Sequence, residues 1–344
     1  MKAIRYHGPK DCRLEDVPEP APGPDDVLVQ VTAAGICATD IEVYDGVMFY
    51  FTSGLTRVPI IPGHEWAGKV VEVGANVREF RVGDQVTGEC SVGCRQCDFC
   101  KRGWYNQCPH RTETGLLNRD GGFAEFIVMP RFNTFKCNGM TAEAAATIEP
   151  TGIALYPTKV AGVCPADNVA VIGDGPIGLY MVQTAKAYGA RQVLLIGSRE
   201  NRLATGRTLG ADHALRYRDA DVVAQVRELT AGHGVDVVLE GVGKPSVWPI
   251  IAGIIAPRGR IMMTGLFAGQ TCDVLFDPLV VNDVTIRGTV GAPNCWAECI
   301  DLHERGLVTA APIITHRLPL RDFEQAVEMS RQRTDNAIKI MLQP

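Results

Sequence analysis

The chain has 344 residues, 46% of them hydrophobic and 21% charged, the composition of a soluble globular protein. A formal charge of −5 and an isoelectric point near 5.8 argue against a nucleic-acid partner, which usually needs a basic face. Met1-Lys2-Ala3-Ile4-Arg5-Tyr6 leads into strand-like sequence without an apolar signal core, and no later apolar run is long enough to span a bilayer, so a cytoplasmic protein with no membrane partner is expected.

This length exceeds one ordinary compact core and predicts two domains. Residues 1 to about 135 are rich in valine, glycine and proline. Alternating runs such as Val27-Leu28-Val29-Gln30-Val31 and Gly68-Lys69-Val70-Val71-Glu72-Val73-Gly74 read there as strands between tight turns, hence a mostly β domain. Two of its turns, Gly35-Ile36-Cys37-Ala38-Thr39-Asp40 and Gly63-His64-Glu65, each present a metal-ligand type, the Cys37 sulfur and the His64 nitrogen.

Cys94-Arg95-Gln96-Cys97-Asp98-Phe99-Cys100 is completed by Cys108. Two residues between successive cysteines let each sulfur face a common centre, and the longer last gap lets a lobe of about residues 90–108 wrap over the metal. Four thiolates close a tetrahedral zinc and leave no position for water or substrate, so this ion is structural. The alternatives are a disulfide cluster or unrelated buried thiols. A long chain with no signal core and a third of its twelve cysteines in one metal-like motif favours reduced thiols.

Glu149, in Ile148-Glu149-Pro150, precedes the crossover into a second domain and brings a carboxylate from a third direction. One Cys, one His and one Glu leave an open position on zinc, the mark of a catalytic site. Taken singly, each has a plainer reading: a core thiol, a hydrogen-bonded histidine, a solvated turn.

From about Thr151 apolar strands alternate with helical stretches. Asn168-Val169-Ala170-Val171-Ile172 is followed by a helical run over 179–187, then by Val193-Leu194-Leu195-Ile196, Val235-Asp236-Val237-Val238-Leu239 and Gly259-Arg260-Ile261-Met262-Met263. Uninterrupted apolar strands separated by helices predict a parallel sheet covered on both faces, a doubly wound α/β domain.

Gly173-Asp174-Gly175-Pro176-Ile177-Gly178 sits directly after the first of these strands and opens a helix. The missing side chains permit a tight turn and close approach to a pyrophosphate, and the helix N-terminus offers unpaired N–H groups to it. In this context the loop reads as dinucleotide-binding; an ordinary glycine turn is the alternative. The next strand normally ends in an acidic residue that bonds the ribose hydroxyls, but here it runs into Gly197-Ser198-Arg199. Gly197 removes a carboxylate that would repel a 2′-phosphate, Ser198 can donate to it and Arg199 can clamp it, which predicts NADP(H) over NAD(H). Tyr217 is placed to close over the same region. In the plainer reading Arg199 caps a helix and Tyr217 is a surface aromatic.

Val284-Thr285-Ile286-Arg287-Gly288 is followed by two amphipathic helices near 296–304 and 323–332 and a last strand, Ile338-Lys339-Ile340-Met341. This tail is short to fold alone and is expected to pack back on the first domain.

Taken together in this order, the cysteine lobe, the glycine loop and the Cys37, His64 and Glu149 set resemble the zinc-dependent medium-chain dehydrogenase/reductase family over nearly the whole length. Glu149-Pro150 is similar to the pattern of its sorbitol, threonine and glucose dehydrogenase branches; simple alcohol dehydrogenases usually carry cysteine there. The resemblance implies a GroES-like, partly opened β-barrel catalytic domain over 1–152, an NADP-binding Rossmann domain over 153–291 and a return of 292–344 to the catalytic domain, with the active site in the cleft. It implies one catalytic and one structural zinc, the former polarising the substrate oxygen so that an alkoxide passes hydride to the nicotinamide.

By position Cys37 and His64 match the family's catalytic ligands, and Glu65 matches a glutamate that coordinates directly or through exchange. Thr39 matches the hydroxyl residue that takes the alcohol proton, and Asp40 a residue that anchors the zinc shell. Glu42 stands where many relatives carry a proton-relaying histidine. The implied substrate is a small polyhydroxylated molecule, a polyol, sugar or cyclitol with a secondary alcohol or the matching ketone. The alternatives are a dehydrogenase of small alcohols and a zinc-free or noncatalytic relative of the fold. A homodimer or homotetramer, associating partly through edge strands such as 284–290, is implied as well. The aromatic run Tyr44-Asp45-Gly46-Val47-Met48-Phe49-Tyr50-Phe51 either lines the cleft or packs in the core.

Overall fold

The computed structural model describes residues 1–218 and 221–344, which form two compact units. The first gathers Met1–Glu149, Gly291–Glu304 and Ile314–Pro344; the second gathers Pro150–Val290 and Arg305–Ile313. Arg305–Ile313, expected within the returning tail, clusters with the second unit, where the Gln183 amide accepts from Thr309 N–H at 2.7 Å and donates to Thr309 O at 3.2 Å.

The first unit is organised on strand β1 (Asp26–Gly35), which is followed by helix α1 (Ala38–Asp45) and strand β2 (Glu65–Val73). β1 runs antiparallel to β2 from Val27↔Val73 to Gly35↔Glu65 and changes its second partner midway. Its first half pairs with Phe126–Pro130, and its last residues pair with Lys339–Gln343 through Met341↔Gly35 and Leu342↔Ala34. One strand thereby belongs to two surfaces, as a partly opened barrel requires. β1 and β2 approach so closely that a Cβ at Gly68 would overlap the Gln30 carbonyl. Trp66, Phe123 and Met129 fill the interior, and the C-terminal helix Phe323–Gln332 lays Phe323, Ala326 and Val327 on the same core.

The aromatic run beside α1 is mainly packing. Met48 is buried, Phe51 meets Tyr6 edge-on at 5.0 Å, and Tyr44 lies 6.3 Å from Phe323, while Phe49 is exposed.

The second unit is a six-stranded, all-parallel sheet. In chain order its strands, with the two helices that flank β4, are β3 (Asn168–Ile172), α2 (Pro176–Ala187), β4 (Gln192–Gly197), α3 (Glu200–Thr208), β5 (His213–Arg216), β6 (Val235–Glu240), β7 (Ile255–Met263) and β8 (Thr285–Gly288). They lie in the order β5-β4-β3-β6-β7-β8, so the direction of winding reverses beside β3, the point at which such sheets receive ligands. β3 is buried along its whole length, as its unbroken apolar run predicts. β8 is an exposed sheet edge, and Leu275, Phe276, Val280 and Val281, which precede it in the chain, are also exposed. Among the described residues no helix is long and apolar enough to cross a membrane.

Candidate active site

The last cross-strand pair of β1 and β2, Gly35↔Glu65, brings the turns that carry Cys37 and His64 together. Ligand atoms of Cys37, His64 and Glu65 all lie within 4.8 Å of one another. Gly35 is required, because a Cβ there would overlap Glu65 Oε2. Asp40 stands buried in the first turn of α1: its Oδ2 accepts the Cys37 N–H at 2.8 Å, and its Oδ1 lies 3.6 Å from His64 Nδ1. At that separation neither Oδ1 nor Nδ1 has a hydrogen-bond partner among the described residues.

Thr39 and Glu42, both half-buried, share one face of α1 at i, i+3 spacing. Burial raises the Glu42 carboxyl above its ordinary range. Glu149 is buried in the first turn of the helix Ile148–Ala161, outside the 4.8 Å set. Burial pushes its carboxyl up to about 8, against the pull of the His64 charge.

Lys339 is the site residue that sequence reasoning missed. Its buried Nζ donates to both Glu65 oxygens at 2.7 Å and to Ile36 O at 3.0 Å. Burial disfavours the charged amine, but the Glu65 and Cys37 charges outweigh that and leave its pKa raised. The available signal was a lone lysine inside Ile338-Lys339-Ile340-Met341, since a buried ammonium needs a carboxylate. Burial, then Glu65, pushes the Cys37 thiol up to about 12. Cys37, Asp40, Glu65 and Glu149 thus crowd four acids around one lysine and one histidine. A sulfur, an imidazole and carboxylates in this arrangement suit a zinc ion, whose charge would let the thiol ionise, and the unpartnered Asp40–His64 pair suits support behind it.

Cys94, Cys97, Cys100 and Cys108 also bring their sulfurs within 4.8 Å of one another. Cys97 Sγ stands 3.7 Å from Cys108 Sγ. That is far beyond a disulfide bond of about 2.05 Å and close to the edge, about 3.8 Å, of a tetrahedron with zinc–sulfur distances near 2.3 Å. All twelve cysteines are free. The Cys94 and His110 N–H groups each donate to Cys108 Sγ at 3.4 Å, and N–H groups of Gln96 and Cys97 hold the Cys94 thiol down to about 6. Tyr105, inside the lobe, donates its hydroxyl to buried Glu89, which also accepts from Asn133 Nδ2 at 2.8 Å. Burial outweighs both bonds and raises Glu89 to about 7.

In the second unit the glycine loop joins β3 to α2. Gly173 has φ +117° against Val242, a Cβ at Gly178 would overlap the Gly173 carbonyl, and a Cβ at Gly175 would meet nothing within 4 Å. The three glycines therefore serve the turn, the helix packing and open access, with Pro176 and Ile177 beginning α2. Gly197 ends β4, Ser198 follows half-buried, and exposed Arg199 precedes α3. Tyr217 donates its backbone N–H to Gly197 O at 3.1 Å, so it borders the same turn, while its hydroxyl accepts from Arg218 Nε at 2.6 Å.

Residues 23–139 match the alcohol dehydrogenase GroES-like domain, and residues 176–305 match the zinc-binding dehydrogenase family. An L-threonine 3-dehydrogenase of Pyrococcus furiosus is 35% identical over 347 residues, covering 99% of each chain. An erythritol/L-threitol dehydrogenase of Mycolicibacterium smegmatis is 32% identical over 357 residues, covering 100% of this chain and 98% of that one. A solved structure from Sinorhizobium meliloti 1021, described as a zinc-binding dehydrogenase and bound to NADP, superposes with a TM-score of 0.92 at 27% identity, covering 100% of this chain and 99% of that one.

Two expectations follow from the buried charges. Lys339→Met strands the Glu65 carboxylate without its counter-charge and should cost about 3–5 kcal/mol, read as a lower urea midpoint at unchanged slope. Glu89 titrates near 7 in the folded chain but in the ordinary carboxylate range, about 4.3, when unfolded. The native state then holds a proton that the unfolded state has released, so stability should fall as pH rises from about 4.5 to 7, by on the order of 3 kcal/mol. Glu89→Gln should flatten that part of the profile in urea titrations, and an unchanged slope would assign it elsewhere.

Proposed function

The chain belongs to the zinc-dependent medium-chain dehydrogenase/reductase family, and from that membership we propose that it transfers hydride between NADP(H) and a secondary alcohol or ketone of a polyol, sugar or cyclitol. The coarser statement, an oxidoreductase of the alcohol and polyol dehydrogenase family, follows from the family itself. The convergence of half-buried Cys37 with buried His64 and Glu65, and buried Glu149 close by, supports its zinc-dependent part.

In this reading Cys37 and His64 hold a catalytic zinc together with Glu65 or Glu149. Zinc bound there supplies the positive charge that draws a substrate alcohol toward its alkoxide. Asp40 faces His64 Nδ1 and leaves Nε2 to the metal. The Thr39 hydroxyl accepts the alcohol proton, and Glu42, one turn along the same helix face, takes it on toward solvent. Lys339 keeps Glu65 charged and in place. The four-cysteine lobe holds a second, structural zinc and performs no step.

Gly197, Ser198 and Arg199 receive the 2′-phosphate of NADP, a reading supported by the NADP bound to the similar solved structure. Tyr217 flanks the adenine side. Exposed β8 with Leu275, Phe276, Val280 and Val281 supports a homodimer or homotetramer joined partly along that edge. The substrate is a small molecule, and the setting is the cytoplasm.

The deciding experiment is a screen of oxidation with NADP, and reduction with NADPH, across polyols, sugars and cyclitols, with L-threonine, small alcohols and NAD as comparisons. A polyhydroxylated substrate should give the highest kcat/KM, NADP should exceed NAD, and metal analysis should find two zinc ions per chain. Turnover by metal-free protein, or equal use of NAD, would defeat the corresponding part. Thr39→Ala should lower kcat by about a hundredfold or more while zinc and cofactor stay bound; unchanged turnover would remove Thr39 from the proton path.

A further inference from the structure

Asp174 is the second residue of the glycine loop, and its side chain is buried rather than solvated. Its Oδ2 reaches across to the end of β4, where it accepts from Ser198 N–H at 2.7 Å, from Arg199 N–H at 2.8 Å and from the Ser198 hydroxyl at 3.4 Å. The carboxylate lies against Gly197: a Cβ on that residue would stand 2.6 Å from Asp174 Cβ and 2.7 Å from its Oδ2. The acidic side chain that an NAD-type strand end carries has no room at Gly197 while Asp174 is in place.

Two successive N–H groups aimed at one point form a concave anion site. Asp174 fills it from within the chain, so the turn is ordered before any nucleotide arrives, and a phosphate must be received by the Ser198 and Arg199 side chains rather than by their backbone. Charge-assisted bonds to consecutive N–H groups also fix the direction in which Arg199 leaves the turn at the start of α3.

We propose that Asp174 is the positioning residue for cofactor choice: it holds the 197–199 turn so that Ser198 and Arg199 face an adenosine 2′-phosphate, and it bars an acidic residue from position 197. The proposal rests on the NADP reading above and adds a residue that acts through others.

Calorimetric titration of the zinc-loaded protein with 2′,5′-ADP and with 5′-AMP tests it independently of turnover. The unsubstituted protein should bind 2′,5′-ADP more tightly. Asp174→Ala should weaken 2′,5′-ADP by about tenfold and leave 5′-AMP within about twofold, while Asp174→Asn, which keeps an acceptor oxygen, should recover most of the loss. In an Arg199→Ala background, Asp174→Ala should change 2′,5′-ADP binding by less than about twofold, because the two residues act as one unit. Gly197→Ala, which drives a methyl group into the same carboxylate, should reproduce the selective loss with the acid still present. Tighter 2′,5′-ADP binding in either Asp174 variant, equal weakening of both nucleotides, or additivity with Arg199→Ala overturns the proposal alone. Equal binding of both nucleotides by the unsubstituted protein overturns the NADP reading and the proposal with it.

Discussion

A charged amine in a dry interior must be matched by an acid, and Lys339 with Glu65 is where this chain meets that requirement. The bond does more than neutralise. Glu65 begins β2 beside the end of β1, and Lys339 begins the strand that pairs with the same end of β1. One ion pair therefore joins three strands beneath the Cys37 and His64 cluster, and Gly35 is left without a side chain so that the carboxylate can cross. Cys37 and His64 inherit their separation from that junction.

Much of this was legible in the sequence where a residue's chemistry depends on short spacing. Four cysteines within fifteen positions are brought together by local turns alone, and the sulfurs converge as the spacing requires. The glycine loop is equally local: its strand, turn and helix follow one another without a gap, and each glycine has a steric reason that can be read in place. Uninterrupted apolar strands announced the parallel sheet for a similar reason, because burial on both faces removes alternation.

What escaped depends on pairings between distant parts of the chain. Lys339 reads as one polar residue in a terminal strand until the register places it on Glu65. Asp174 reads as a variable position between two glycines until β4 is laid beside β3 and its carboxylate meets the next turn. The excursion of Arg305–Ile313 into the second unit is of the same kind, since nothing near Thr309 announces that its backbone will meet Gln183. The aromatic run at 44–51 was ambiguous because packing and lining residues have the same composition; only the neighbours Tyr6 and Phe323 separate them.

The distance along the chain between the partners of the central ion pair also sets an order of events during synthesis. Glu65 and Lys339 are 274 residues apart. While the ribosome is still making the second unit, β1 lacks the strand that covers its end, and the Glu65 carboxylate faces water. The cysteine lobe, by contrast, has every sulfur available once residue 108 has emerged. The two clusters of one polypeptide thus mature at different times: the lobe can close on the nascent chain, whereas the site of Cys37 and His64 gains its buried character only once residue 339 has been made.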